Sequence, residues 1–217
     1  MCNICDFKIK AVGEESNINR LLECLKNEYH YIRGETQEKL DEELSKRYSL
    51  KYASKDGGSY LYANNDKHLY RIFECCATEK VKKDNNCYAV MSGDCANSVF
   101  VCMFEGPNSY YTDGLNSWIK DLAKEHATTV VQLSKDLDLK IEIYSNEPSF
   151  GMAEHYIIDK GKVIADEEYP FHLYYLADYE TEEQAEEDLD IVLTDEERGS
   201  DWIFRCEIDP INPIWHI

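Results

Sequence analysis

Residues 5–12 alternate apolar and polar positions around Phe7 and Ile9 and stop at Gly13, which predicts a strand. Behind Ser16, a residue type that caps helices, apolar positions fall at Ile18, Leu21, Leu22, Leu25, Tyr29 and Ile32. That spacing keeps one side of a helix apolar. Residues 35–50 predict a second, more exposed helix, with Leu40, Leu44 and Tyr48 as a thin apolar stripe. Residues 51–67, with Asp56-Gly57-Gly58 and Asn64-Asn65-Asp66, read as loop and turn.

Strands are expected at 69–77, 86–92 and 97–104, the last two joined across Gly93-Asp94 as a hairpin. Trp118, Ile119 and Leu122 mark a short helix beyond the Gly106-Pro107 break. Val130, Leu133 and Leu137 mark another, followed by a strand at 140–144. Further strands are expected at 154–158 and 171–176. A helix at 182–193 would turn Ala185, Leu189 and Val192 inward and its carboxylates outward. A final strand at 202–208 precedes Pro210 and Pro213. No repeat is visible. This order predicts an α+β fold, a mainly antiparallel sheet with helices packed on one face, in a ferredoxin-like arrangement. With no linker in view, residues 1–178 form one domain with an insertion at about 33–68, and 179–217 form an acidic extension packed on it.

Charge changes the picture. The 217 residues include 43 acids against 23 lysines and arginines, a formal charge of -20. That excludes a basic footprint for nucleic acid and docking on anionic lipid. The longest apolar run, residues 99–104, is too short to span a membrane. A hydrophobic content of 43% argues against wholesale disorder. Residues 151–217 carry 19 acids and four bases, so three quarters of the net charge sits in the last third. Between Glu180 and Glu197 no base interrupts the acids.

Candidate chemistry is sparse. Nine cysteines are an odd, irregularly spaced set, and Met1-Cys2-Asn3 leads into Asp6 and Lys8 rather than into a secretory pattern. The expectation is a reducing cytoplasm, with cysteine used as a small hydrophobe. Cys2-x-x-Cys5 lacks the second close pair that zinc needs; Cys75 and Cys76 should point to opposite faces of a strand; Cys87 and Cys95 would flank the predicted turn. Cys95 with His126 or His155 is a conceivable nucleophile–base pair. Paired carboxylates at Glu182-Glu183, Glu186-Glu187-Asp188 and Asp195-Glu196-Glu197 resemble a solvated or partner-binding face more than a catalytic one. Tyr60, Tyr62, Tyr110, Tyr111, Tyr174, Tyr175 and Tyr179, in or beside loops and edges, suit either a half-buried strand or an interface.

Met1-Cys2-Asn3-Ile4-Cys5-Asp6, followed by Lys8-Ile9-Lys10-Ala11-Val12-Gly13, resembles the opening of the YubB-type ferredoxin-like proteins of phages and plasmids. Ser92-Gly93-Asp94-Cys95-Ala96-Asn97-Ser98-Val99, Met103-Phe104-Glu105-Gly106-Pro107 and Tyr144-Ser145-Asn146-Glu147-Pro148 are similar to it as well. The resemblance covers about residues 1–30 and 86–165 and departs at Ser149-Phe150-Gly151-Met152. It implies a ferredoxin-like sheet and a mobile-element setting, and no catalytic residues.

The expected function is therefore non-enzymatic. The acidic third, through Glu182, Glu183, Glu186, Glu187, Asp188, Asp190, Asp195, Glu196 and Glu197, would bind a basic host protein. Its concrete form is an inhibitor that imitates nucleic acid in the channel of a defence effector (anti-CRISPR or anti-restriction), because carboxylates at helical spacing lie ~5–6 Å apart. No catalytic residue, cofactor or metal is expected. The rival readings are a hydrolase built on Cys, His and carboxylate residues, and a module that binds a small molecule or signal nucleotide.

Overall fold

The computed structural model describes residues 3–25, 30–33, 50–53, 59–63, 68–69, 72–83, 86–106, 127–149, 151–195 and 197–217. Strand β1 (Ile4–Gly13) buries Cys5, Phe7, Ile9 and Ala11 on one side and turns Asp6, Lys8, Lys10 and Val12 to the other, as its alternation requires. On the buried side, α1 (Glu15–Leu25) lays down Ile18, Leu21, Cys24 and Leu25. The helix already includes Ser16 in its first turn, so Ser16 is not the cap. It ends at Leu25, and Ile32 belongs to β2 (His30–Arg33) instead. Pairing with another strand wins there over a continued helical spacing.

That partner is β4 (Ser59–Ala63), which also pairs with β3 (Leu50–Ala53) to give a small antiparallel sheet in the order β2-β4-β3. The expectation of loop at 51–67 is thus overturned at 51–53 and 59–63, while Asp56-Gly57-Gly58 and Asn64-Asn65-Asp66 lie outside the described residues. The tyrosines of Ser59–Ala63 are residues that favour strands. Tyr29, the predicted helix at 35–50 apart from Leu50, and the predicted helix at Trp118, Ile119 and Leu122 lie outside the described residues.

A two-residue β5 (His68–Leu69) precedes β6 (Ile72–Lys83) and β7 (Asn86–Ala96), which pair antiparallel over nearly their full length. Gly93-Asp94 is therefore no hairpin turn. Gly93 lies inside β7, opposite Phe7 of β1. A Cβ there would collide with the Glu74 carbonyl and come within 2.7 Å of the Phe7 ring, so the glycine makes room for an aromatic side chain. Gly93→Ala is expected to lower unfolding stability by about 1–3 kcal/mol, read as a shifted urea midpoint with an unchanged slope. Residues 97–104 are not a strand either. Phe100–Glu105 form a π-helix that buries Cys102 and Met103. An apolar run without alternation fits a buried helix as well as a buried strand.

After β8 (Ala127–Thr128), which pairs parallel with β5, Thr129 caps α2 (Val130–Asp136) by accepting from Gln132 N at 3.2 Å. Then follow β9 (Lys140–Glu147), β10 (Met152–Asp159) and β11 (Lys162–Pro170), the last with no counterpart among the predicted elements. The result is an α+β fold with a six-stranded antiparallel sheet in the order β11-β10-β9-β1-β7-β6. Residues of α1, α2 and the π-helix share one core with one face of this sheet. The chain end crosses the other face: Lys8 donates to the Ile211 carbonyl, the Tyr144 hydroxyl donates to that of Ile214, and Lys10 lies over the Trp215 ring. As a consequence β9 is buried on both of its faces.

The remaining chain builds a second small core from Leu176, Ala185, Leu193 and Ile203. It contains β12 (His172–Tyr175), a 3₁₀ turn (Leu176–Asp178), α3 (Glu182–Leu189) and β13 (Trp202–Arg205), with β12 and β13 paired antiparallel.

Candidate functional site

The acidic helix is local in origin. Thr181 caps α3 by accepting from Gln184 N at 3.2 Å, and Asp190 ends it in the left-handed region, at φ 52°. Ala185 is buried and Leu189 packs beside it, as expected, but Val192 is 80% exposed. The helix stops at Leu189, which carries Val192 off the inward face.

The structure sorts the expected carboxylates into two groups. Glu182 and Glu186 turn onto Arg198, at 3.1 and 2.9 Å, and each also accepts from a backbone N–H, of Gly199 and Leu193 respectively. Glu197 pairs with Arg205 and accepts from both the amide and the hydroxyl of Thr194. These three hold the C-terminal unit together. Glu183, Glu187, Asp188, Asp190 and Asp195 are exposed. Glu196 lies outside the described residues. The last turn of α3 contains no base, so Glu187, Asp188 and Asp190 run against the helix dipole. Tyr174 and Tyr179 pack against the small core and Tyr175 is exposed.

Arg205 lowers the Glu197 carboxyl from 4.5 to about 2, against an opposing effect of burial. Since the folded value is the lower one, the pair stabilises the unit above about pH 4.5, and this is lost as pH falls toward about 2. Allowing for solvent screening, the loss should be about 1–2 kcal/mol. Denaturation curves followed by the fluorescence of the three tryptophans would show it, and Glu197→Gln should remove this part of the acid sensitivity.

A second constellation lies under the chain end. Glu142 of β9 sits between Ile141 and Ile143 yet is completely buried on the sheet face opposite the main core. Its Oε1 is 3.0 Å from His155 Nε2 of β10 and 2.7 Å from His216 Nδ1, while its Oε2 accepts from His216 N at 2.7 Å. His155 Nδ1 is 2.7 Å from Glu167 of β11. The Tyr144 ring stacks on His155 at 4.3 Å. Burial raises the Glu142 carboxyl, but the bonds from His216 and His155 outweigh it and leave the group below its ordinary value. The Tyr144 phenol is pushed well above its ordinary range by burial, with Glu142 adding to the effect. Sequence reasoning missed this site. A glutamate between two isoleucines in a strand was the available signal; nothing local connected it to His216.

Two of the cysteine arrangements considered are contradicted among the described residues, Cys87 with Cys95 across a turn and Cys95 with His155. Cys87 and Cys95 lie eight residues apart on one strand, about 26 Å of extended chain, rather than flanking a turn. Cys95 is buried on the core face, paired in register with Cys5, whereas His155 is on the opposite face. Hydrogen bonds with Cys102 and Cys5, and burial, raise the Cys95 thiol well above its ordinary value, which opposes a nucleophilic role. Cys75 is buried and Cys76 exposed, as alternation requires. Cys2 and His126 lie outside the described residues.

No helix among the described residues is long and apolar enough to cross a membrane. Compared with known proteins, the chain matches no family model, no curated protein and no solved structure.

Proposed function

We propose that this chain is a non-enzymatic acidic protein that docks on a basic host protein. In its concrete form it is an inhibitor that occupies the nucleic-acid channel of a defence effector. The observation that carries the reading is the sorting of carboxylates on the C-terminal unit. Among the described carboxylates, Arg198 and Arg205 engage Glu182, Glu186 and Glu197, and of the acids left in water Glu187, Asp188 and Asp190 crowd the end of α3 that disfavours them. Such a distribution costs stability through self-repulsion, and a basic partner would relieve it. Strand β11, which runs into β12, adds exposed Asp166 and Glu168.

Four of the sheet's six strands support a ferredoxin-like reading of the core. Strands β1, β6, β7 and β9 stand in the order β9-β1-β7-β6, all neighbours antiparallel, with α1 between the first two in sequence and α2 between the last two. The mobile-element origin rests on the resemblance in residues 1–30 and 86–165. Affinity capture from host lysate, followed by binding measured across a salt series, tests the function. A partner with a Lys/Arg-lined cleft and affinity that falls steeply with salt is the expected result. Salt-independent binding, or a partner without a basic surface, would overturn the reading.

A further inference from the structure

We propose that Glu142, His155 and His216 form a binding site for one divalent transition metal, with zinc the best match. The donor atoms, one carboxylate oxygen and two imidazole nitrogens, all lie within 4.8 Å of one another. Two of the separations, 3.0 Å from Glu142 Oε1 to His155 Nε2 and 2.7 Å to His216 Nδ1, are hydrogen-bond lengths. Ligands on a tetrahedral zinc stand about 3.3 Å apart, given Zn–N and Zn–O distances of about 2.0–2.2 Å. Both contacts would therefore open by only about half an ångström as the metal replaces the shared protons.

Three further features distinguish this cluster from an ordinary buried ion pair. First, Glu167 engages His155 Nδ1 at 2.7 Å, the outer carboxylate that fixes a histidine ligand's tautomer and leaves Nε2 free to coordinate. Second, the Tyr144 ring stacked on His155 and the sheet beneath it hold that imidazole in place. Third, the site is buried on the sheet side, where Glu142 is 0% exposed, and open on the tail side, where the His216 side chain is 57% exposed. Solvent can thus supply the metal and a fourth ligand. The donor set lacks thiolate and carries one carboxylate, with a second close by, to balance a dication. Because His216 comes from the chain end, the metal would also fasten the tail across β9 and β10.

The test uses the full chain, stripped with chelator and titrated with Zn²⁺ by calorimetry and with Co²⁺ by visible absorption. One equivalent should bind, with the d–d bands of tetrahedral Co²⁺ and no thiolate charge-transfer band. His216→Ala, in the tail and outside the core, should weaken binding at least about 100-fold, and Glu167→Gln about 10–100-fold. Zn²⁺ should slow carboxypeptidase release of the last residues in the parent chain and not in His216→Ala. Absence of one-to-one binding, affinity unchanged in His216→Ala, or a thiolate charge-transfer band would each overturn the proposal.

Discussion

Glu154→Ala is expected to destabilise the fold by about 3–5 kcal/mol, because it removes the acceptor for four donors, three of them in buried bonds. The Glu154 carboxylate sits on the core face of β10, 2% exposed, and takes hydrogen bonds from Val99 N, Phe100 N, Ser145 Oγ and the Tyr156 hydroxyl at 2.7–3.2 Å. It thereby joins the start of the π-helix to β9 and β10. Truncation would leave all four donors without this acceptor, three of the bonds being buried and that of Phe100 N part-buried. Glu154→Gln keeps one acceptor oxygen and should cost less, about 1–3 kcal/mol. Burial raises the Glu154 carboxyl above its ordinary value, the four donors opposing. Its titration therefore favours the folded state at acid pH, and that contribution is lost as pH rises through the folded value. Urea denaturation at two pH values measures both effects. A midpoint shift in Glu154→Ala worth less than about 1 kcal/mol would show that the four bonds are not what holds the π-helix.

Charge reversal at Glu183, Glu187, Asp188 and Asp190 should abolish docking on the basic partner while shifting the unfolding midpoint only slightly. Four acid-to-lysine changes of two units each move the formal charge from -20 to -12. The loss of affinity should reach at least about 100-fold at low salt, with much of it in the association rate. The fold should tolerate the change because all four positions are exposed, and lysines at Glu187 and Asp188 in the last turn favour the helix dipole, against the small costs of a lysine in the first turn at Glu183 and in the left-handed backbone of Asp190. Glu186 is left out because it accepts from Leu193 N and pairs with Arg198, so changing it would disturb the unit itself. Wild-type affinity in the fourfold variant would reduce the acidic helix to a solvated surface. The metal site and the acidic surface are independent: His216→Ala should leave docking intact.

Local periodicity was sufficient for β1, most of α1, α2, β9, β10 and the start of α3. In each, side chains of one face meet a single environment, so a period of two or 3.6 is written directly into the residues. It was also sufficient to place the acids of α3 on a helix and to concentrate the net charge in the last third. It failed where a residue's environment comes from distant chain. Gly93 looks like a turn until Phe7 is laid across it, and residues 97–104 look like a strand until Glu154 receives the amides of Val99 and Phe100. Strand β11 escaped because it is an edge, exposed on both faces, and so has no alternation to read. The two fates of the carboxylates depended on where Arg198 and Arg205 fold back, 12 to 16 residues from the glutamates of α3 in one case and eight from Glu197 in the other. The Glu142–His155–His216 cluster is the extreme instance. Its members sit on adjacent strands and on a tail 74 residues beyond Glu142, and only antiparallel pairing of β9 with β10, with the chain end drawn across them, brings one oxygen and two nitrogens together.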